Sequence, residues 1–275
     1  MHCLWNIKPV WVFAVTFAFK GAQEARPDLC RRFLKVSALR VTRPSPRGPS
    51  LFFCPAAKAG STTIESMIQQ HFLANTTSHS KRSSFAVDRY LSSPISASDR
   101  EFLCSRPFVA LTTVRNPWDR LISAFIGKVV VHPDKGSNAR EIAAAYGIER
   151  ACELQFQQVI RFVVRQRRPN IHFMPESERC GPERLPYDAV AHIEHGFEST
   201  LSEVSVRLGF GKPPFKKHIS TTDDCAKSNF CESHYLNMLN RSSAAERRRK
   251  FYTSELSHLV AMRFATDIET WNYTF

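Results

Sequence analysis

Leu51-Phe52-Phe53-Cys54-Pro55-Ala56-Ala57-Lys58-Ala59-Gly60-Ser61-Thr62-Thr63 is the stretch on which the fold turns. Its first four residues form an unbroken apolar run, the pattern of a strand buried on both faces. Pro55 to Gly60 reads as a turn. Ser61 is placed to cap a helix reaching about Phe72, with Ile64, Met67, Ile68 and Phe72 at helical spacing. A strand, a loop of small residues and a helix together form a receptor for an anion: the backbone can approach closely, and the first-turn N–H groups and the helix dipole favour negative charge. Lys58 adds a mobile cation, and Ser61, Thr62 and Thr63 add hydroxyls. Lys58 precedes Gly60, whereas the nucleotide loop G-x-x-x-x-G-K-[ST] places its lysine after the glycine, so a kinase or ATPase of that type is disfavoured. Taken alone, the segment is also readable as an ordinary helix start carrying a lysine.

Working outward, Phe108 to Val114 predicts a second central strand, broken by Arg115-Asn116-Pro117. A helix follows from Trp118 to about Val130, with Leu121, Ile122, Phe125 and Ile126 on one face and the proline suited to its start. Arg115 therefore falls at a strand's carboxyl end, where open α/β sheets bind ligands. Ser123 follows on the helix. A guanidinium fork and a hydroxyl suit a phosphate monoester. Arg120 reads as a surface or salt-bridge residue, with Asp119 as the candidate partner. Residues 73–100 are polar and serine-rich, a loop with a short helix. Further on come an amphipathic helix over Glu149–Arg167, a third strand over Tyr187–Ile193, a helix from Phe197 to Leu208 stopped by Gly209, and a last helix opened by Ser254. Strands alternating with helices predict a three-layer α/β/α domain with a mainly parallel sheet.

The chain has 275 residues, 43% of them apolar, enough for one sizeable core. Its formal charge of +13 favours anionic partners, although Arg247-Arg248-Arg249-Lys250 reads first as an exposed helix face. Pro9 to Phe19 is an apolar run flanked by Lys8 and Lys20. It is short of the roughly 20 residues a membrane span needs, and has the length of a signal core. Residues 1–22 are thus read as a signal peptide or short signal-anchor, 23–49, ending in Arg43-Pro44-Ser45-Pro46-Arg47-Gly48-Pro49, as a stem, and 50–275 as the folded domain. The sequons at Asn75, Asn240 and Asn272 agree with passage through the secretory pathway. The eight cysteines include no CxxC pair, which speaks against zinc, and their even number fits disulfides. Cys54, within an apolar run, is read as a buried thiol.

The two anion-binding segments, in this order, resemble the donor-binding signatures of sulfotransferases that use 3′-phosphoadenosine 5′-phosphosulfate (PAPS). Lys58 to Thr63 is similar to the 5′-phosphosulfate loop, and Arg115 to Ser123 to the 3′-phosphate motif. Asn170-Ile171-His172-Phe173-Met174-Pro175-Glu176-Ser177-Glu178-Arg179-Cys180 resembles the H-[WF]-x-P-Q-x-x-x-C segment of Golgi carbohydrate sulfotransferases, with Glu176 where glutamine is common. Tyr187 to Glu194 resembles their Y-D-x-[IV]-x-x-x-E segment, and Phe251 to Tyr273 their closing helix and tail. The resemblance spans about Leu51 to Phe275 and leans towards the chondroitin and dermatan branch. It implies a P-loop-like nucleotide-binding sulfotransferase fold and transfer of a sulfuryl group from PAPS to a glycan hydroxyl without a metal. Lys58 would meet the bridging oxygen. The backbone of Ala59, Gly60, Ser61, Thr62 and Thr63 would hold the 5′-phosphate, and Arg115 and Ser123 the 3′-phosphate. The general base is His79 or His172, with His71 and Glu65 weaker choices. Lys216-Lys217-His218 falls where relatives carry a nucleotide-covering loop, so Lys217 joins the donor-binding candidates. Cys180, Cys225 and Cys231 are candidates for a nearby disulfide.

Residence in the Golgi lumen, anchored as a type II protein or secreted, follows from the same resemblance and the leader. The acceptor is an acidic or neutral glycan. A lumenal glycan-binding protein that kept the fold without turnover is the alternative, though it has no need of Lys58, Arg115 and Ser123 together. Nucleic acid is not expected as a partner, since charge alone suggests it and the leader and sequons oppose it.

Overall fold

The computed structural model describes residues 25–35, 40–42, 49–65, 67, 97–131, 137–181, 185–209 and 242–275. Its centre is a four-stranded sheet of β1 (Arg40–Thr42), β2 (Ser50–Cys54), β3 (Phe108–Val114) and β4 (Ala189–His192), in that spatial order. β2, β3 and β4 run parallel, with Phe52 opposite Ala110 and Thr112 opposite Val190. β1 pairs antiparallel to β2 at the edge. Every residue of β2 and β3 is buried, as expected of parallel strands covered on both faces.

Side-chain alternation divides these strands between two layers. Leu51, Phe53, Val109 and Leu111 face Ile64 and Met67, which follow the loop, and Leu201 and Val204 of α8 (Phe197–Arg207). Residues 61–65 form α2. On the other face Phe52, Phe108 and Ala110 meet Phe33 of α1 (Pro27–Phe33) and Leu103 of α3 (Ala97–Cys104). Phe52 and Phe108 stack with centroids 4.5 Å apart, and Phe33 stands edge-on to both. The three-layer α/β/α expectation is met.

A separate helical assembly packs beyond the carboxyl end of β3. It comprises α4 (Pro117–Phe125), a π-helical turn (Ile126–Val130), α5 (Ser137–Ala145), α6 (Phe156–Arg165), α7 (Glu176–Cys180), α9 (Ala244–Phe251), α10 (Ser254–Arg263) and α11 (Ala265–Trp271). Phe125, Phe156, Phe251 and Tyr252 form its aromatic centre through edge-to-face contacts. The helix expected over Glu149–Arg167 is in fact a 3-10 turn (Ala151–Glu153) followed by α6. Gln158 Oε1 accepts from the Gln155 N–H at 2.8 Å and starts the helix there.

Packed structure begins upstream of residue 50. α1 and β1 lie inside the span read as a stem. Phe33 and Cys30 are fully buried, and Arg26 forms a two-pronged bond to Asp188 at 2.8 and 2.7 Å. Asp188 also accepts from the Ala110 N–H at 2.8 Å, so one carboxylate joins α1, β3 and the start of β4. The composition of 23–49 concealed this because the decisive apolar residues, Cys30 and Phe33, are few.

Among the described residues two disulfides close the fold, Cys30–Cys104 and Cys54–Cys180. Cys54 is therefore not a thiol, and the partner of Cys180 is Cys54 rather than Cys225 or Cys231, which lie outside the described residues. The second bridge spans 126 residues and joins the end of β2 to α7. Replacing Cys54 and Cys180 together by serine is expected to cost about 2–4 kcal/mol. Urea titration, with the reduced wild type as comparison, checks this.

Candidate active site

Lys58 and Gly60 both take left-handed backbone angles, with φ of 66° and 77°. Gly60 has a second reason to be glycine. A Cβ there would fall 2.6 Å from Ile193 Cδ1 and 2.7 Å from Phe197 Cζ, across the turn that joins β4 to α8. The Thr63 and Ile64 N–H groups both turn back to the Gly60 carbonyl, so the N–H groups of Ser61 and Thr62 precede the first intrahelical bond of α2. Ala56 and Ala59 are fully buried; their small side chains let the loop fold tightly under itself.

Arg115 leaves the end of β3 and donates from Nη1 to the Lys58 carbonyl at 3.0 Å. The left-handed turn at Lys58 thus presents its carbonyl to the arginine and its side chain to the other side. The structure brings together the two segments picked out in the sequence, at the carboxyl ends of adjacent parallel strands. Arg115 Nε is buried without a hydrogen-bond partner, a donor left for something else to satisfy. A cleft of about 620 Å³ opens beside them, lined by Lys58, Gly60, Thr63, Arg115, Phe197 and Glu194 among others. Glu194 is engaged from behind, accepting from the Asn116 N–H at 2.7 Å.

The Lys58 ammonium lies against Gly127 of the π-helical turn, where a side chain would collide with Nζ. Burial first, then the charges of Lys128 and Arg115, lower its pKa to about 8. Ser123 does not line the cleft. It is half-buried on α4, four residues before Gly127, and so on the helix face that meets Lys58. His172 occupies the turn before α7, a helix tied to the end of β2 by the Cys54–Cys180 bridge and by Arg179 Nε, which donates to the Pro55 carbonyl at 2.8 Å. Burial, followed by Lys128, Lys58, Arg179 and Arg120, lowers its pKa to about 4, so the imidazole is neutral at pH 7. Its Nδ1 is buried without a partner. His79, His71 and Lys217 lie outside the described residues.

Beneath the site is a buried network that the sequence did not announce. Arg120, read as a surface or salt-bridge residue with Asp119 as the candidate partner, is 1% exposed and pairs with Glu176 instead. It donates from Nη2 to the Met174 carbonyl at 2.7 Å, and its Nε lies 3.5 Å from Glu176 Oε1, an ion pair too long for a good hydrogen bond. Glu176 Oε2 accepts a long bond from the Arg115 N–H. Asp267, from α11, caps α7 by accepting from the Glu176 and Ser177 N–H groups at 2.7 and 2.8 Å. Burial pushes the Glu176 carboxyl up to about 8 against the pull of Arg120. Asp119 pairs with Arg248 of α9 at 3.5 Å, which takes one residue of the basic run out of the solvated face. Residues 272–275 close over α4. The Thr274 carbonyl accepts from Asn116 Nδ2 at 2.9 Å, and Phe275 stands edge-on to Trp118 and Tyr252. Asp267 could not have been found from local pattern, whereas Glu176 stood out in the sequence only as an exchange for glutamine.

A parallel α/β core with a lysine loop and an arginine from neighbouring strand ends lining one cleft is the arrangement found here. The model of the sulfotransferase family matches residues 46–274, and the chain belongs to that family. Sulfuryl transfer is thereby its general activity. Neither the curated proteins nor the solved structures contain a match.

Proposed function

We propose that the chain is a carbohydrate O-sulfotransferase of the Golgi lumen that takes its sulfuryl group from PAPS. The observation that carries the reading is the meeting of Arg115 with the Lys58 loop, with a buried guanidinium nitrogen left unsatisfied beside an open cleft. Arg115 and the turn after β4 would hold the nucleotide. The N–H groups opening α2 would take the 5′-phosphate, and Ser123 would assist from the face beneath Lys58. The acceptor oxygen forms a bond to sulfur as the sulfur–oxygen bond to the 5′-phosphate breaks, and the electron pair stays on the phosphate. Lys58 meets the charge that grows on that oxygen, where a preplaced cation acts most strongly. His172, neutral in the free protein, takes the acceptor proton. The donor's negative charge offsets the cations that depress its basicity. Two disulfides fit an oxidising compartment, and Asn272 of the Asn272-Tyr273-Thr274 sequon is exposed. A net charge of +13 suits an acidic glycan.

The test is transfer of label from PAPS to a panel of glycosaminoglycan and neutral glycan acceptors. Arg115→Ala is expected to weaken calorimetric affinity for the desulfated nucleotide roughly 10- to 100-fold, as loss of charge-assisted bonds does. Unchanged affinity would place the nucleotide elsewhere, and no label on any glycan would remove the carbohydrate assignment.

A further inference from the structure

The ladder between β3 and β4 ends with Val114 opposite His192, and the Val114 carbonyl takes the Ile193 N–H at 3.1 Å. The next two N–H groups along the chain, those of Arg115 and Asn116, lie beyond the ladder. Both are taken by carboxyl groups. Glu194 Oε1 accepts from Asn116 at 2.7 Å, and Glu176 Oε2 accepts from Arg115 at 3.4 Å. The course of the chain at Arg115 is thus set in part by a side chain from α7. Glu176 is itself fixed. Its N–H, with that of Ser177, goes to Asp267. Its Oε1 lies 3.5 Å from Arg120 Nε, and Arg120 also holds the Met174 carbonyl two residues before it. The turn leading into α7 is tight. The Phe173 and Met174 N–H groups return to the Asn170 carbonyl at 2.8 and 2.9 Å, and the His172 N–H goes to Asn170 Oδ1 at 3.1 Å. One side chain, 2% exposed, therefore joins the strand end that carries Arg115 to the turn that carries His172. Both of its contacts are longer than charge-assisted bonds run, as suits a neutral carboxyl.

We propose that Glu176 is a positioning residue, which pins the strand end bearing Arg115 to the His172 turn so that donor and acceptor meet in one register. This rests on the donor reading given above. Glu176 acts through Arg115 and the turn, being buried beneath the cleft. It works as a neutral acid. Burial raises its pKa to about 8; Arg120 opposes, Asp267 adds, the bond from the Arg115 N–H opposes and Glu194 adds. These groups face it from α4, α11, the end of β3 and the turn after β4. The Tyr273 phenol, whose pKa is raised by burial and then by Glu194 and Glu176, stays protonated throughout. Ionisation of Glu176 above pH 8 places a negative charge behind Arg115 and weakens its hold on an anion.

Two variants separate positioning from bulk. Glu176→Gln keeps the accepting oxygen and cannot ionise; Glu176→Met keeps the length and loses the acceptor. Calorimetric affinity for the desulfated nucleotide and kcat are read for both, with urea midpoints alongside. At pH 7 Glu176→Gln is expected within about three-fold of the wild type in both quantities, because the hydrogen bond survives. Glu176→Met is expected to fold, yet to lose about 10-fold in affinity and about 10- to 100-fold in kcat, as displacement of reacting groups does. Between pH 7 and 9 the wild type should lose about five-fold more nucleotide affinity than Glu176→Gln. Lys58 titrates in the same range, but in both proteins, so it cancels in the comparison. Wild-type rate and affinity in folded Glu176→Met would overturn the proposal. So would equal losses in Glu176→Gln and Glu176→Met, or parallel pH profiles for the wild type and Glu176→Gln. If Glu176→Met does not fold, the wild-type and Glu176→Gln profiles decide alone. Failure of the wild-type protein to bind the desulfated nucleotide would instead bring down the donor reading, and the proposal with it.

Discussion

Lys58→Ala should lower sulfuryl transfer by about 1000-fold or more, to near background. The size of the effect follows from the place of the ammonium group. It is largely buried, it lies against Gly127, and it has no carboxylate partner among the described residues, so its charge is held ready for the leaving oxygen. A cation kept in a partly dry site acts through a low effective dielectric and needs no reorganisation during the reaction. The backbone contribution of position 58 survives the exchange, because Arg115 bonds the carbonyl rather than the side chain. Nucleotide affinity in Lys58→Ala should therefore fall much less than kcat. Gly127→Ala offers a second approach to the same atom, since its methyl group occupies the ground of the Lys58 Nζ. Steady-state rates for both variants, with nucleotide affinity measured in parallel, check the assignment; full activity in Lys58→Ala would remove Lys58 from the chemistry.

The largest effect on stability is expected at Arg120. Arg120→Ala leaves the Glu176 carboxyl buried without its cation, strips the Met174 carbonyl of its donor and removes a guanidinium from the face of Phe264, 5.5 Å away. At pH 7 Glu176 holds its proton, so the loss is that of a large buried side chain and its hydrogen bond to Met174, about 2–5 kcal/mol in urea unfolding. The pH dependence has a definite sign. Glu176 titrates at about 8 in the folded protein against an ordinary 4.5, so between those values the folded chain holds a proton the unfolded chain has released. Its contribution is therefore fully present below pH 4.5 and declines as pH rises towards 8. Losing Arg120 takes away the interaction that opposes this shift, so the variant should lose more stability than the wild type as the solution becomes alkaline. Pairing Arg120→Met with Glu176→Gln, which removes the cation and the titrating carboxyl together, should restore most of the loss and flatten the pH dependence. If Arg120→Ala unfolds at the wild-type urea midpoint, the pair has no structural weight.

The core strands, and the two segments that meet through Arg115 and the Lys58 carbonyl, were legible because their signals are local. Phe108–Val114 is apolar but for Thr112 and Thr113 and is the strand found, and Lys58 and Arg115 each sit next to a strand end. Legibility failed where the deciding partner is distant in sequence. Arg120 carries the composition of a surface residue; only the turn before α7 and Glu176, more than fifty residues on, make it a core group. The π-helical turn Ile126–Val130 falls in what reads as an ordinary amphipathic helix, and its extra residue leaves no mark on the hydrophobic pattern. Cys54 looked like a buried thiol because its run is apolar, which is equally true of a buried disulfide. α1, within residues 23–49, was hidden for a similar reason: it is attached through Cys30, Phe33 and Arg26, in a stretch whose composition is polar and basic overall.

The closure of α4 and α7 by Asp267, Thr274 and Phe275 has a consequence for how the protein is made. Residues 50–194 supply Lys58, Arg115 and His172, yet the cap on α7 is Asp267, and the cover on α4 is Thr274 and Phe275. During synthesis the parallel sheet can assemble well before these residues emerge, since domains condense from the amino-terminal side. The turn that carries His172 and the start of α4 gain their supports only later. A nascent chain that has not yet reached residue 267 would present a formed sheet whose carboxyl end still lacks its cap and cover.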